Sequence, residues 1–152
     1  AALLVDDRAR LVTVTGPGGV GKSRFALAVG QAVAEAFGDG VVFVPLAAIR
    51  DPDLVLPTVA RAIGLREAEP VPLGERLVRH LRDRQVLLIL DNFEQVAGAA
   101  APVAALLAAC PRAAALVTSR RRLTIDGEQR FPLAPLSLPE AGAFAAGAEG
   151  IA

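Results

Sequence analysis

The sequence has very little of several residue types, and each scarcity excludes some classes of protein. One of the 152 residues is cysteine, and none is methionine, tryptophan or tyrosine. A single thiol excludes an internal disulfide framework, and we interpret Cys110 as a small apolar residue that closes a helix. Sixteen basic residues balance sixteen acidic ones. The chain therefore has no net charge that would draw it to nucleic acid or to an anionic membrane.

Long apolar runs are also missing. The best candidate, the uncharged stretch Val96–Pro111, contains Pro102 and is shorter than the roughly 20 residues of a membrane-spanning helix. The first residues become charged too early for a secretory signal. The sequence therefore predicts a soluble cytoplasmic domain without membrane contact. The lack of methionine and the start in mid-pattern are consistent with a domain taken from a longer protein, and equally with removal of an initiator methionine before Ala1.

What is present is an alternation of apolar runs with segments of helical period. The runs that predict strands are Leu11–Thr15, Val41–Leu46, Gln85–Asp91, Ala113–Ser119 and a short one at 128–133. Helical segments between them predict an α/β fold, with a parallel sheet covered by helices through right-handed crossovers. The third run is apolar throughout, which predicts an interior strand.

The amphipathic segments also predict which side chains are buried. In the helix that starts near residue 22, the predicted apolar face comprises Phe25, Leu27, Ala28, Val29, Ala32 and Val33. Over 73–83 the inward residues are Leu73, Leu77, Val78 and Leu81, whereas Arg76, Arg79, His80 and Arg82 are predicted at the surface. The helix between these two is expected to be capped by Asp51 or Asp53 and to stop at Gly64.

The only lysine lies in a glycine-rich pattern, although the chain uses fifteen arginines elsewhere. Residues 16–23, "GPGGVGKS", fit the phosphate-binding spacing G-x-x-x-x-G-K-[ST] between a predicted strand and a predicted helix. Glycines let backbone N–H groups turn inward around an anion, and the helix points its positive end at the same place. Lys22 would reach the β- and γ-phosphates as a compact ammonium, where a planar guanidinium fits poorly. The predicted nucleotide-binding residues are Gly16, Gly18, Gly19, Val20, Gly21, Lys22, Ser23 and Arg24.

Three more side chains are candidates for the same site. Asp91 ends the third strand, where a carboxylate would hold Mg²⁺ together with the Ser23 hydroxyl; the alternative is a helix cap. Glu94 is a candidate base, or else a solvated loop acid, because the amide of Asn92 has no basic lone pair. Arg120 follows the fourth strand and could reach the γ-phosphate, since ligands lie beyond the carboxyl ends of parallel strands. The predicted catalytic residues are Lys22, Asp91, Glu94 and Arg120, and the predicted metal ligands are Ser23 and Asp91.

The basic run after the fourth strand needs a separate interpretation. Arg121 and Arg122 are predicted to form a solvated turn. A run of three arginines could indicate nucleic acid, but no groove-reading helix or stacking aromatic accompanies it. We therefore predict no direct contact of this chain with nucleic acid.

With these motifs the chain resembles the nucleotide-binding domain of STAND-class P-loop ATPases, the signal-transduction ATPases with numerous domains, which include the NB-ARC branch. The stretches that carry the resemblance are "LVTVTGPGGVGKSRFALAV", "VVFVPLAAIRDPDLVLPTVARAIGL", "VLLILDNFEQV" and "ALVTSRRRLTIDGEQRFPLAPLSLPEA". They are most similar to bacterial transcriptional regulators of the large ATP-binding LuxR and antibiotic-regulatory types. The resemblance implies a three-layer α/β/α P-loop fold whose five-stranded parallel sheet has the order 5-1-4-3-2. It also implies a nucleotide-binding domain at 1–137, followed at 138–152 by the start of a helical module.

The same resemblance implies the function. The domain would bind ATP or ADP with Mg²⁺ and act as a slow nucleotide switch in a cytoplasmic regulator, together with flanking helical and winged-helix modules. Without those modules its apolar surface would favour self-association. No guanine-reading Asn-Lys-x-Asp motif occurs, which favours adenine. Two alternatives stay open: a turnover ATPase or small-molecule kinase with Glu94 as its base, and an interaction module independent of nucleotide.

Overall fold

Five strands form one parallel sheet. A computed structural model describes residues 2–5, 9–66 and 70–135. The strands are β1 (Leu11–Thr15), β2 (Val41–Pro45), β3 (Leu87–Asp91), β4 (Ala114–Ser119) and β5 (Glu128–Pro132). Their order is β2-β3-β4-β1-β5, and each neighbouring pair is parallel. Counted from the other edge this is 5-1-4-3-2, so the predicted fold class and strand order are confirmed.

Helices cover both faces of this sheet. They are α1 (Ala2–Val5), α2 (Lys22–Val33), α3 (Val55–Ala62), α4 (Leu73–Leu81) and α5 (Ala100–Ala109), with 3-10 turns at Ala34–Ala36, Pro52–Leu54 and Phe93–Ala99. Within the described ranges, none is long and apolar enough to cross a membrane. The predicted boundary at 137 and the helix expected at 138–150 lie outside the described residues.

Alternating residues of the strands belong to two apolar clusters, one on each face of the sheet, because successive side chains of a strand point to opposite faces. Leu88 and Leu90 join the cluster beneath α3, α4 and α5, whereas Leu87 and Ile89 join the cluster beneath α1 and α2. All five residues of β3 are buried. The prediction that this run is an interior strand, covered on both faces, is therefore confirmed.

The buried face of α2 is narrower than predicted. Its buried positions are Lys22, Ala26, Gly30 and Val33. Three positions predicted to be inside are exposed instead, and for these the prediction was wrong: Leu27, Ala28 and Ala32. The helix lies so close to the sheet that a Cβ at Gly30 would stand 2.8 Å from Cδ1 of Ile89. Because small residues bring α2 close to the sheet, only a narrow face of the helix is buried. Alanine and leucine also favour helix formation at exposed positions, so their presence does not indicate a buried face.

The apolar face of α4 agrees with the prediction, but one of its polar positions does not. Leu77 and Leu81 are buried, and Arg79 and Arg82 are exposed. Arg76, which was predicted to face water, is only 8% exposed. It lines the recess between α3 and α4, and the aliphatic stem of an arginine can be buried against apolar neighbours.

Local signals at the helix ends are mostly as predicted. The Asp51 carboxylate accepts a hydrogen bond from the backbone N–H of Asp53 at 2.9 Å and caps the turn that leads into α3. Gly64 follows α3 with φ of 82°, a conformation that glycine adopts without strain. Cys110 is fully buried at the end of α5, and burial raises the pKa of its thiol. Arg10 donates to the carbonyl of Cys110 at 3.0 Å, which places a cation at the negative end of α5.

Candidate functional site

The glycine loop connects β1 to α2 at the carboxyl edge of the sheet. Gly19 and Gly21 have φ of 79° and 93°, which favours glycine. A Cβ at Gly16 would stand 2.9 Å from the carbonyl oxygen of Leu133. One at Gly18 would stand 3.0 Å from Nη2 of Arg120. Backbone conformation and close neighbours therefore account for the glycines, and α2 begins directly behind them.

The Lys22 side chain folds back over this loop. Its ammonium donates to the carbonyl oxygens of Gly16 at 2.8 Å and Pro17 at 2.9 Å. The side chain is largely buried. These two bonds hold the positive charge at the mouth of the loop, beside the amino end of α2. Arg24, on the first turn of the same helix, is exposed.

Ser23 and Asp91, the two predicted metal ligands, lie in contact although they are 68 residues apart in sequence. The Ser23 hydroxyl donates to Oδ1 of Asp91 at 2.8 Å. One carboxylate and one hydroxyl fit Mg²⁺, which prefers oxygen ligands and is commonly completed by phosphate oxygens and water. Asp91 accepts hydrogen bonds from hydroxyls, and the residues present fit the ion. Their role as ligands stays a prediction.

Thr118, the fully buried side chain that orients Asp91, is not among the residues that the sequence predicts for this site. Its hydroxyl donates to Oδ1 of Asp91 at 2.6 Å and accepts from the backbone N–H of Asn92 at 2.9 Å. Asn92 has φ of 63° and ψ of 54°. Asparagine tolerates this left-handed conformation better than most residues, which explains why the only asparagine of the chain stands here. The signal available in the sequence was a hydroxyl residue, Thr118, within the apolar run that predicts the fourth strand.

We expect Thr118→Val to destabilise the domain by about 1–3 kcal/mol, because it leaves the backbone N–H of Asn92 without its partner and removes one of the two hydroxyls that donate to Oδ1 of Asp91. Thr118→Ser keeps the hydroxyl and should retain most of the stability. Urea unfolding of the three proteins measures the difference. Equal midpoints for valine and threonine would contradict the positioning role.

Arg120 and Glu94 meet beside the glycine loop. Nε of Arg120 lies 3.9 Å from Oε1 of Glu94, with the side chains 65% and 24% exposed. Oε2 of Glu94 is buried and has no hydrogen-bond partner among the described residues. Arg120 thus stands between Glu94 and Gly18, and Glu94 is mostly buried rather than solvated. Arg121 and Arg122 are exposed, as expected.

The loop that carries these arginines is held by a residue that the sequence analysis did not single out. The carboxylate of Glu128, at the start of β5, accepts from the backbone N–H groups of Leu123 at 2.7 Å and Thr124 at 2.8 Å. Thr124 has φ of 59°, an uncommon value for threonine. Glu128 therefore fixes the turn that returns the chain from Arg120 to β5.

A glycine loop between β1 and α2, an aspartate at the end of β3 and this strand order together define a P-loop domain. A family described as an AAA domain matches residues 5–133, and the chain belongs to that family.

Curated relatives are longer proteins. The chain is 40% identical over 136 residues to the uncharacterized protein Rv0894 of Mycobacterium tuberculosis, covering 89% of this chain and 34% of that protein. It is 39% identical over 140 residues to the putative HTH-type transcriptional regulator Rv0890c of the same organism, covering 91% and 15%. With the regulatory protein AfsR of Streptomyces coelicolor it shares 41% over 118 residues, covering 72% and 12%. The chain thus spans about a third or less of these relatives, and the predicted resemblance to bacterial regulators is confirmed.

Solved structures agree on the fold. Cdc6p from Pyrobaculum aerophilum superposes with a TM-score of 0.65 at 16% identity, covering 86% of this chain and 42% of that one. ORC2 from Aeropyrum pernix, solved as ADPNP and ADP complexes, gives 0.57 at 15% identity, covering 81% and 41%. A STAND protein from Pyrococcus horikoshii, PH0952, gives 0.50 at 18% identity, covering 98% and 24%. At such identities the likeness shows the fold alone.

Proposed function

We propose that the domain binds ATP and ADP with Mg²⁺ and serves as a slow nucleotide switch in a longer transcriptional regulator. The observation that carries the proposal is the convergence of Lys22, Ser23 and Asp91 at a glycine loop backed by the amino end of α2. This arrangement combines a cation, the backbone N–H groups at the amino end of a helix and oxygen ligands for the metal that accompanies nucleotide phosphates. An interaction module that works without nucleotide would not require this arrangement.

Each residue has a distinct role in this proposal. Lys22 exchanges its bonds to the loop carbonyls for bonds to the β- and γ-phosphates. Ser23 and Asp91 hold Mg²⁺, which neutralises phosphate charge, while Thr118 keeps the carboxylate in place. The loop glycines, Val20 and Arg24 surround the phosphates.

Arg120 is proposed to distinguish ATP from ADP. Its guanidinium lies against Gly18 and pairs with Glu94 at 3.9 Å. A γ-phosphate bound to the loop competes with Glu94 for this guanidinium, whereas ADP leaves the pair in place. A ligand shifts an equilibrium only through such a difference in contacts between two states. ATP would therefore release Glu94 and alter the turn Phe93–Ala99 that carries it.

Turnover is proposed to be slow because no residue is well suited as a base. Asn92 is an amide, and the charge of Glu94 is partly engaged by Arg120. The second candidate function, a turnover ATPase, is favoured by one observation: Oε2 of Glu94 is buried near the site without a partner. A released Glu94 could then accept a proton from water.

The remaining parts of the proposal concern the whole protein. The nucleotide-binding domain would extend to residue 137, with a helical module from 138 and a winged-helix module beyond, in a cytoplasmic regulator. DNA contact would lie outside this chain. The exposed apolar side chains that would favour self-association in the isolated domain are Leu3, Val5, Leu27, Phe43, Leu54 and Phe131.

Titration calorimetry of nucleotide-free protein tests the binding proposal. We expect one nucleotide per chain for ATP and for ADP, with Mg²⁺ strengthening both, and weaker binding of GTP. Absence of binding heat at several temperatures would favour the nucleotide-independent module instead.

A further inference from the structure

A groove between α3 and α4 lies away from the glycine loop. Its larger part, about 450 Å³, is lined by Arg79, His80, Asp83 and Arg84 among others. The end of α4 leads into the amino end of β3, whereas the glycine loop follows the carboxyl end of β1. The larger part of the α3–α4 groove, at the end of α4, is thus near the amino ends of the strands, and the proposed switch uses none of its lining residues.

Guanidinium groups dominate its lining. Five arginines and one carboxylate, Asp83, belong to the described residues that line the two parts of the groove; the arginines are Arg61, Arg66, Arg76, Arg79 and Arg84. Arg79 and Arg84 are exposed, and their guanidinium groups make no ion pair or hydrogen bond with any described residue. The described lining therefore carries an excess of positive charge, although the whole chain has no net charge.

The smaller part of the groove, about 260 Å³, has an apolar floor. Pro57, Ala60, Leu65 and Leu73 line it, between Arg61 and Arg66 on its rim. Leu65 and Arg76 line both parts, which are therefore adjacent. An apolar recess between guanidinium groups suits a ligand that carries carboxylates on either side of one apolar side chain. No Phe, Tyr or Trp is found in the described lining, whereas proteins that bind single-stranded nucleic acid stack bases on aromatic side chains.

We propose that the α3–α4 groove docks an acidic peptide segment of a protein partner. One apolar side chain of that segment occupies the recess at Leu65 and Leu73, and its carboxylates pair with Arg61 and Arg66 on one side and with Arg79 and Arg84 on the other. Each exposed ion pair contributes little by itself, so the affinity depends on several of them together with the apolar anchor.

Selection from a library of random displayed peptides tests the proposal. The bait is the whole chain, and binders to the Arg79→Glu, Arg84→Glu double variant are removed. The proposal expects enriched sequences rich in Asp and Glu, with Leu, Ile or Phe at a constant position. No enrichment, or enriched sequences without acidic residues, overturns it.

Fluorescence anisotropy with the enriched, fluorescein-labelled peptide then measures how much each arginine and the apolar anchor contribute to the affinity. The double charge reversal should weaken binding by more than about tenfold, because two attractive pairs become repulsive. The single variants Arg79→Ala and Arg84→Ala should each give a smaller loss of affinity. They replace the double variant in this test if the double variant proves thermally unstable. Arg50→Glu, an exposed arginine outside the groove, is the matched control and should change affinity by less than about twofold. Replacing the apolar anchor of the peptide by alanine should cost about tenfold.

The single histidine offers an independent readout. Burial and the neighbouring Arg84 lower the pKa of His80. Carboxylates of a docked peptide would raise this pKa again, which the one imidazole signal of an untagged protein reports by NMR. An unchanged titration at saturating peptide overturns docking in this groove.

Two other occupants would also overturn the proposal. If inorganic polyphosphate or a single-stranded oligonucleotide displaces the peptide, and the alanine-anchor peptide binds equally well, the groove is a general polyanion site. If light scattering shows an oligomer that the double charge reversal converts to monomer, the occupant is a second copy of this chain.

Discussion

Lys22→Ala is expected to weaken binding of Mg·ATP by more than about a hundredfold, because it removes two hydrogen bonds from a charged donor, each worth about 1.5–3 kcal/mol. The fold should persist, since the bonds lost in the free domain reach only the carbonyls of Gly16 and Pro17. Equilibrium titration with a fluorescent ATP analogue measures the loss, and thermal unfolding confirms the fold.

Lys22→Arg is the sharper control for the same position. It keeps the charge but replaces a compact ammonium by a planar guanidinium, which is too wide to follow the same path across the loop. We expect its affinity to be reduced as well. If Lys22→Arg binds ATP as tightly as the parent, the explanation for a single lysine among fifteen arginines is wrong.

Asp91→Ala should abolish the contribution of Mg²⁺ to nucleotide affinity. In the parent protein, affinity measured with Mg²⁺ should exceed affinity measured in EDTA by about tenfold or more, because the ion joins the phosphates to Asp91 and Ser23. In the variant the two values should converge. Asp91→Asn, which can keep the bonds to Ser23 and Thr118, separates loss of the ligand charge from loss of local structure.

Glu94→Gln is the matched comparison for this experiment, because Glu94 lies beside the loop but is not expected to bind the ion. It should leave the effect of Mg²⁺ on affinity nearly unchanged. If Glu94→Gln removes that effect and Asp91→Ala preserves it, the assignment of the metal ligand is wrong.

Much of the fold was predictable because its signals are local. The five runs that predicted strands gave strands whose ends differ from the structure by two residues or fewer. The buried run at Leu87–Asp91 pointed to an interior strand without any tertiary information. The strand order was implied by the resemblance to a family, because hydrophobic period does not say which strands are neighbours.

The errors on helix faces come from packing that the sequence does not display. Gly30 draws α2 so close to Ile89 that Leu27 is left outside. Arg76 is buried where it lines the recess between α3 and α4. Both outcomes depend on the distance between elements, which propensity and period do not determine.

The residues of the candidate site likewise include some that the sequence predicted and some that it did not. The glycine loop and Asp91 belong to motifs within short stretches, and the sequence predicted them. The roles of Thr118 and Glu128 follow instead from contacts that the folded chain makes: Thr118 orients an aspartate 27 positions earlier, and Glu128 holds the turn after Arg120. The reason for Asn92 is its backbone conformation rather than its chemistry. Such roles become visible only when the chain is folded.

Phosphate release at saturating Mg·ATP tests the central claim, a domain that binds nucleotide and turns it over slowly. General-base help contributes about 10²–10⁴-fold, and this site lacks a well-placed base. We therefore expect a rate far below the roughly 10 s⁻¹ of a median enzyme, with at most a small further decrease in Glu94→Gln. Several turnovers per second, abolished by Glu94→Gln, would contradict the switch and make this domain a working ATPase with Glu94 as its base.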